Sequence, residues 1–307
     1  MKHICVVIPV YNRIFFTKRC LESLSSILKT AHYSSDVIVV DDGSTDGTSE
    51  MIEKNFPDVV RIKGDGNLWW TGGINTGLEY VINQKICDYI LIMNDDISFE
   101  NNFISTLLDS IEKMPNSIIG SITLYANREN TIWKAGMLDT HKLHPLLINI
   151  YQNKKRDEIP IDLIPVDSIS GRSMLIPVEV FKKTGLFDQK TFPHGYADHE
   201  FCIRAREKGY NLFIDPKSAI YSEPGKDKSL FKIICDISVK DFLKTFRDIK
   251  YDWSLKSLFN IYIKTRGTVR GILGFSYHSL ILIKWILLKI LLRKSVLQIK
   301  VTKRIND

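Results

Sequence analysis

Val37-Ile-Val-Val-Asp41-Asp-Gly-Ser-Thr-Asp-Gly47 is a short β-branched run that ends on two carboxylates and then on turn residues. Its apolar positions do not alternate with polar ones, so it reads as a strand covered on both faces. The same pattern recurs in Val6-Val-Ile-Pro-Val10, Val59-Val-Arg-Ile62 and Tyr89-Ile-Leu-Ile-Met93, with helical segments expected between them at 15–30, 45–55, 73–84 and 101–113. This alternation predicts an α/β fold: a mostly parallel, Rossmann-like sheet flanked by helices, with ligands beyond the carboxyl ends of its strands. The residues that follow each strand are therefore the ones to read for chemistry.

Those residues are polar at every strand end. The first strand runs into Pro9-Val-Tyr11-Asn12-Arg13, the third into Lys63-Gly-Asp-Gly-Asn67-Leu-Trp69-Trp70-Thr-Gly-Gly73, and the fourth into Asn94-Asp95-Asp96. Beyond them, Ile118–Tyr125 reads as a further strand and Lys154–Asp157 as a solvated loop. A second organised block spans Ser168–Asp215, and a helical, increasingly apolar segment follows Ser229.

Composition sets the outer bounds. A chain of 307 residues with 44% hydrophobic and 25% charged residues is globular, and is long enough for one large domain with an appendage or for two medium domains. Its five cysteines are scattered and form no Cys-x-x-Cys pair, which argues against a disulfide framework and against a cysteine zinc site, and fits a reducing compartment. The apolar run before Pro9 is too short for a signal peptide, so a cytoplasmic location is expected.

The net charge of +7 is local. Residues 1–225 carry 24 Lys and Arg against 29 Asp and Glu, whereas 226–307 carry 18 against 6. The basic excess coincides with the apolar run Leu280–Leu292, interrupted by Lys284 and Lys289. That combination suits an anionic membrane surface, reached through residues 271–307, and not a nucleic acid. A helix packed on the rest of the chain, a homo-oligomer interface and a poor membrane span are the other readings of this segment.

Asp95 and Asp96 end an apolar strand, where adjacent carboxylates are costly without a compensating cation. Oxygen ligands of this type suit Mg²⁺ or Mn²⁺ together with substrate phosphates; the alternative is the N-cap of a helix starting near Glu100. Asp41 is a candidate for accepting hydrogen bonds from a base or ribose, while Asp42, Ser44 and Asp46 suit turns and caps. Gly72 and Gly73 would let a diphosphate or sugar approach a helix N-terminus. Trp69 and Trp70 read equally as core residues or as a sugar-stacking pair. Asp198 and Glu200 open another helix, where a carboxylate also compensates the dipole, and His194 and His199 lack the spacing of a metal site.

Taken in order, Val7-Ile-Pro-Val-Tyr-Asn12, Val39-Val-Asp-Asp-Gly-Ser-Thr-Asp-Gly47, Asn94-Asp-Asp96, Gly171 to Asp188 and Asp198-x-Glu200-Phe-x-x-Arg204 resemble the family 2 glycosyltransferases, and within them bacterial rhamnosyltransferase-like enzymes of surface polysaccharide synthesis. The resemblance spans residues 4 to 225. It implies a GT-A fold and an inverting transfer from a nucleotide-diphosphate sugar, dTDP-rhamnose-like or UDP-linked, to a lipid-linked or oligosaccharide acceptor at the inner face of the membrane. It further implies that Pro9, Tyr11, Asn12 and Arg13 border the nucleotide, Asp41 reads the base, and Asn67, Gly73 and Asn94 lie along the donor. Asp95 and Asp96 then stand at the metal motif with Asp96 the direct ligand, Asp198 is the catalytic base with Glu200 in reserve, and Trp69, Trp70 and Arg172 contact sugar or acceptor.

On this reading residues 1–225 form the catalytic domain, with 1–115 the nucleotide-binding half and 116–225 the acceptor half, and 226–307 serve membrane association or oligomerisation. Two positions depart from the family pattern. Ala197 precedes Asp198 where many relatives have Glu-Asp, and Ser222 or Glu223 stands where many have a metal-binding histidine. A nucleotidyltransferase and a non-catalytic sugar-binding subunit are the rival readings. The first would need a Gly-rich, basic loop after the first strand, where Pro-Val-Tyr-Asn-Arg stands instead.

Overall fold

The computed structural model describes residues 2–84, 87–140, 147–222, 244, 246–248 and 254–291. The chain divides into two compact units, one formed by Met1–Thr140 with Leu147–Glu223, the other by His141–Leu146 with Pro224–Asp307.

The first unit opens with four βα repeats: β1 (His3–Val10), α1 (Ile14–Leu28), β2 (Ser34–Asp41), α2 (Thr48–Asn55), β3 (Val60–Lys63), α3 (Trp69–Gln84), β4 (Tyr89–Met93), the short β5 (Ile97–Phe99) and α4 (Phe103–Lys113). It continues with β6 (Ser117–Tyr125), β7 (Ile132–Lys134), β8 (Met137–Asp139), β9 (Leu147–Asn149), β10 (Ile164–Pro165), β11 (Ser173–Pro177), α5 (Val178–Thr184), α6 (Ala197–Glu207) and β12 (Asn211–Ser222). The main sheet runs in the order β10-β12-β6-β11-β4-β1-β2-β3. β3, β2, β1 and β4 are parallel, β11 enters antiparallel between β4 and β6, and β12 is parallel to β6.

Strand order reverses between β1 and β4. Their helices leave in opposite directions there and open a crevice at the carboxyl ends, the place where such sheets bind ligands. The amphipathic helices explain the burial: α1 turns Thr17, Cys20, Leu21, Leu24 and Ile27 inward, and α4 turns Phe103, Ile104, Leu107, Leu108 and Ile111 inward, each set at helical spacing. These side chains join Ile4, Val6, Ile8, Val39, Leu91 and Met93 in one core.

Three local readings change. α3 starts at Trp69 and not at 73, because Asp42 caps it. The chain leaves β4 through Asn94–Asp96 into β5, so the helix expected near Glu100, α4, starts at Phe103 with Asn102, and not Asp95 or Asp96, at its N-cap. The stretch 154–157 is an anchor and not a free loop: Arg156 donates to Glu100 at 2.6 Å and to the Pro216 and Lys217 carbonyls.

In the second unit, α7 (Leu255–Arg266) and α8 (Thr268–Leu291) form a hairpin about Gly267, whose φ of 74° favours glycine. Tyr262 is 1% exposed and pairs its hydroxyl with His278 Nδ1 at 3.0 Å, while Phe259 meets Phe275 edge to face. Among the described residues no helix is long and apolar enough to cross a membrane.

Candidate active site

Asp95 and Asp96 occupy the turn between β4 and β5, at the crevice. Asp95 is 1% exposed and accepts from Thr17 Oγ1 at 2.9 Å. Arg13, at the end of the loop after β1, places Nη1 3.2 Å from Asp95 Oδ1 and donates from Nη2 to Asp96 Oδ2 at 3.0 Å. Arg172, just before β11, lies 3.6 Å from Asp96 Oδ1, covers the Trp133 ring at 4.6 Å and donates to Ser222 Oγ at 3.4 Å. Burial raises the Asp95 carboxyl from 3.8 to about 6; Arg13 and Thr17 oppose the rise and Asp96 adds to it.

Despite the two guanidinium groups, Oδ1 of Asp95 and Oδ1 of Asp96 are buried and lack any hydrogen bond. Two acceptor oxygens left over in this way, both hard donors, fit a divalent cation such as Mg²⁺ or Mn²⁺. The N-cap alternative for this pair is excluded by the position of α4.

Asp198 stands in the first turn of α6, which follows Tyr196 in a left-handed conformation. Its Oδ2 accepts from Gly171 N–H at 2.9 Å and its Oδ1 from His199 N–H at 2.9 Å. The His199 ring, fixed by Ser168 Oγ at 2.7 Å, brings Nε2 to 3.8 Å from the same Oδ1. Burial opposes ionisation here, but His199, the Gly171 N–H and Lys134 outweigh it and hold the carboxyl below the usual aspartate range. The side chain is 19% exposed, so solvent and ligands reach it.

The dipeptide Gly171-Arg172 joins the two carboxylate groups, binding Asp198 through its first N–H and Asp96 through its guanidinium. Trp70 closes the same cluster: its Nε1 donates to Asn94 Oδ1 at 2.9 Å, and its ring packs where a Gly171 Cβ would lie 2.5 Å away. The structure thus brings together Arg13, Trp70, Asn94, Asp95, Asp96, Arg172 and Asp198. Trp69 is apart from these contacts, 38% exposed and edge-on to His194.

The remaining expectations fare differently. Glu200 is 7% exposed, and both its oxygens accept from Arg204, at 2.9 and 2.8 Å. Arg204 also holds the Thr184 and Leu186 carbonyls, so the pair ties α6 to the chain after α5; this geometry does not carry a reserve base. Asp41 is fully buried, with one oxygen accepting from Ser44 N–H and the other from Ser49 Oγ, so it closes the turn after β2 and does not face the crevice with a free acceptor.

Gly73 is buried in the first turns of α3, where a Cβ would lie 2.9 Å from Pro9 Cβ; it lets α3 sit on β1 and leaves no open approach for a diphosphate. Asn67 is exposed and donates its N–H to Asp65 Oδ1 at 2.8 Å. Tyr11 is 52% exposed. Asn12, at φ 52°, accepts from Thr45 N–H at 2.7 Å and donates to Ser44 Oγ at 2.8 Å, which stitches the loop after β1 to the loop after β2.

Two residues that carry much of this arrangement have no strong local signature. Asp42 accepts from Gly66, Leu68 and Trp69 N–H at 2.8, 2.9 and 3.1 Å, and thereby caps α3. Asn75 is 5% exposed and exchanges both its amide groups with the Phe187 backbone, at 2.8 and 3.1 Å. Asp42 acts on residues 24 to 27 positions away and Asn75 on one 112 positions away, so only the tertiary fold reveals either role. Of the alternative positions for a metal-binding histidine, Ser222 is opposite Ile97 in the sheet and contacts Arg172, whereas Glu223 lies outside the described residues.

A cleft of about 680 Å³ opens at the other, amino end of the strands, lined by Lys2, Cys87, Glu112, Glu179 and Lys182 among others. None of the candidate active-site residues described above lines it.

Residues 5–183 match the profile of Glycosyl transferase family 2. The chain belongs to that family. An uncharacterised glycosyltransferase of Rickettsia typhi is 27% identical over 220 residues, covering 66% of this chain and 63% of its own length. Glycosyltransferase GlyG of Streptococcus pneumoniae is 29% identical over 247 residues, covering 79% and 78%. The chain therefore spans under two thirds of the Rickettsia relative. Among solved structures, mannosyltransferase PcManGT from Pyrobaculum calidifontis, in complex with GDP-Man and Mn²⁺, superposes with a TM-score of 0.53 at 13% identity over 93% of this chain and 83% of its own. That likeness shows the fold: the sheet and helices of this family 2 glycosyltransferase are those of the GT-A fold. The family match ends before Asp198, so the residues of α6 rest on geometry alone.

Proposed function

We propose that the chain catalyses an inverting transfer of a sugar from a nucleotide-diphosphate donor, dTDP-rhamnose-like or UDP-linked, to a lipid-linked or oligosaccharide acceptor in bacterial polysaccharide synthesis. The observation that carries this reading is the bridge Gly171-Arg172, which sets a metal-type carboxylate pair and an ionised, reachable Asp198 beside one another. The GDP-Man and Mn²⁺ bound by the Pyrobaculum mannosyltransferase support a nucleotide-sugar donor and a divalent ion.

Asp96 and Asp95 would hold Mg²⁺ or Mn²⁺, which when bound neutralises charge developing on the leaving diphosphate. Arg13 and Arg172 flank the same carboxylates and would share their positive charge with the diphosphate once the carboxylates turn to the ion. Pro9, Tyr11, Asn12 and Arg13 border the donor, with Asn94 and Trp70 fixing the floor and Trp69 facing the acceptor. Asp198 accepts the proton of the attacking acceptor hydroxyl as that oxygen bonds the anomeric carbon and the nucleoside diphosphate departs with the electron pair of the broken bond. One base suffices, since no covalent sugar intermediate forms. Residues 271–307 would bring the enzyme to an anionic membrane carrying the acceptor.

Release of nucleoside diphosphate from UDP- and dTDP-sugars, measured with Mn²⁺ and with EDTA, tests this reading. EDTA and Asp96→Asn are each expected to reduce release at least 100-fold. Metal-independent release at full rate overturns the metal assignment, and incorporation of the nucleotide itself into product would place the chain among nucleotidyltransferases.

A further inference from the structure

The end of the sheet remote from Asp95 and Asp198 carries a second set of ligating side chains. In the parallel pair β1–β2, His3 stands opposite Ser34 and Cys5 opposite Asp36. His3 and Cys5, two residues apart on one strand, share a face. An imidazole nitrogen of His3, the sulfur of Cys5 and a carboxylate oxygen of Asp36 all lie within 4.8 Å of one another. Cys5 is fully buried, whereas the His3 and Asp36 side chains are 29% and 28% exposed, so the cluster has its floor in the core and its mouth at the surface. Cys87, two residues before β4, adds a second thiol that hydrogen-bonds to Cys5.

The surroundings orient the imidazole. Nε2 of His3 is 3.0 Å from Asp36 Oδ2, and Nδ1 is 3.0 Å from Ser34 Oγ, which in turn reaches the Lys2 carbonyl at 3.2 Å. When the Ser34 hydroxyl donates to that carbonyl it accepts from Nδ1–H, and the Nε2 lone pair then points at the Asp36 carboxylate. A proton on Nε2 closes this contact in the metal-free chain and a metal ion takes its place between the same two atoms, while an outer hydroxyl or carbonyl holding the far ring nitrogen is the usual support of a metal-bound histidine.

We propose that His3, Cys5 and Asp36, with Cys87 as fourth donor, form a zinc-type site that clamps β1, β2 and the entry to β4, separate from the Mg²⁺ or Mn²⁺ position at Asp95 and Asp96. A nitrogen, sulfur and oxygen donor set selects Zn²⁺ over the harder Mg²⁺ and Mn²⁺. Ligand atoms around one tetrahedral zinc stand about 3–4 Å apart, so the His3, Cys5 and Asp36 atoms close by about an ångström of side-chain movement. Binding removes the thiol protons to solvent and leaves no net redox change. The scattered positions 3, 5, 36 and 87 explain why no zinc spacing is visible along the chain.

The test is a Co²⁺ titration of the full chain after EDTA treatment and dialysis. One equivalent is expected to produce a thiolate-to-cobalt absorption in the near ultraviolet, abolished by added Zn²⁺ and retained in Asp96→Asn, which separates this site from the catalytic one. His3→Ala, at a partly exposed position, is expected to weaken Zn²⁺ binding at least tenfold while the far-ultraviolet circular dichroism stays that of the unsubstituted chain. The proposal is overturned if the unsubstituted chain shows no sulfur-to-cobalt absorption, or if His3→Ala and Asp36→Asn both bind Zn²⁺ with undiminished affinity.

Discussion

At the level of single residues the site rests on carboxylates in contrasting environments. Asp198 is stabilised as an anion, so Asp198→Asn keeps the Gly171 contact but removes the proton acceptor. Its turnover is expected to fall at least 1000-fold with donor affinity within threefold, measured by nucleotide release and by calorimetry; retained turnover moves the base elsewhere. Asp95 is destabilised as an anion. Its carboxyl rises from 3.8 to about 6 in the folded chain, so between these values the folded state holds a proton that the unfolded state has lost. The penalty therefore grows from about pH 4 to pH 6, is full above 6, and vanishes below 4; over that window Asp95→Asn should gain on the order of 2 kcal/mol relative to the metal-free parent chain. Urea unfolding in EDTA at pH 4 and pH 7 measures it, and a difference independent of pH refutes it. What the sequence reveals at this scale is residue type: charge at the end of an apolar strand singles out Asp95 and Asp96, whereas Asp198, at a helix start where a carboxylate also compensates the dipole, is singled out by the family resemblance alone. Asp41 misleads because a buried turn and a ligand contact demand the same carboxylate, and only its partners Ser44 and Ser49 tell them apart.

Among the elements, α3 shows how a loop-like sequence becomes a helix. Gly72 and Gly73 suggest a close approach to a ligand, but Gly73 and Gly77 are one turn apart and bring the helix backbone onto Pro9 and Val7; a Cβ on Gly77 would lie 2.4 Å from Val7 Cγ1. Gly77→Ala should cost about 1–3 kcal/mol by overpacking. Asp42 satisfies three N–H groups at the start of that helix, so Asp42→Ala should cost about 2 kcal/mol and lower the melting temperature by about 5 °C, as read by circular dichroism. No change in either variant would mean that α3 is held by its apolar face alone. The four opening strands were legible because buried parallel strands are continuous apolar runs. β5 and the antiparallel entry of β11 were not, since three residues of sheet carry too little periodicity and pairing direction leaves no trace in composition.

For the molecule as a whole, the charge asymmetry and the helical hairpin argue for one task. α8 exposes Val269, Ile272, Leu273, Leu280, Ile283 and Leu287, between 46% and 73%. Arg270 and Lys284 lie on the same helix, and no acidic residue occurs from 253 to 306. Among the described residues no helix is able to span a bilayer; the use we propose for this composition is an apolar, cationic helix lying in an anionic interface. Each buried leucine would contribute about 1.5 kcal/mol or more, and each nearby cation about 1 kcal/mol on an anionic surface. Leu273→Glu with Leu280→Glu, both at exposed positions, should therefore cut flotation on phosphatidylglycerol vesicles at least tenfold, with little binding to phosphatidylcholine by either chain and catalytic turnover on a soluble acceptor unchanged. If the double variant floats as before, the membrane assignment fails; if it instead turns a dimer into a monomer at constant flotation, the exposed face joins two copies of the chain.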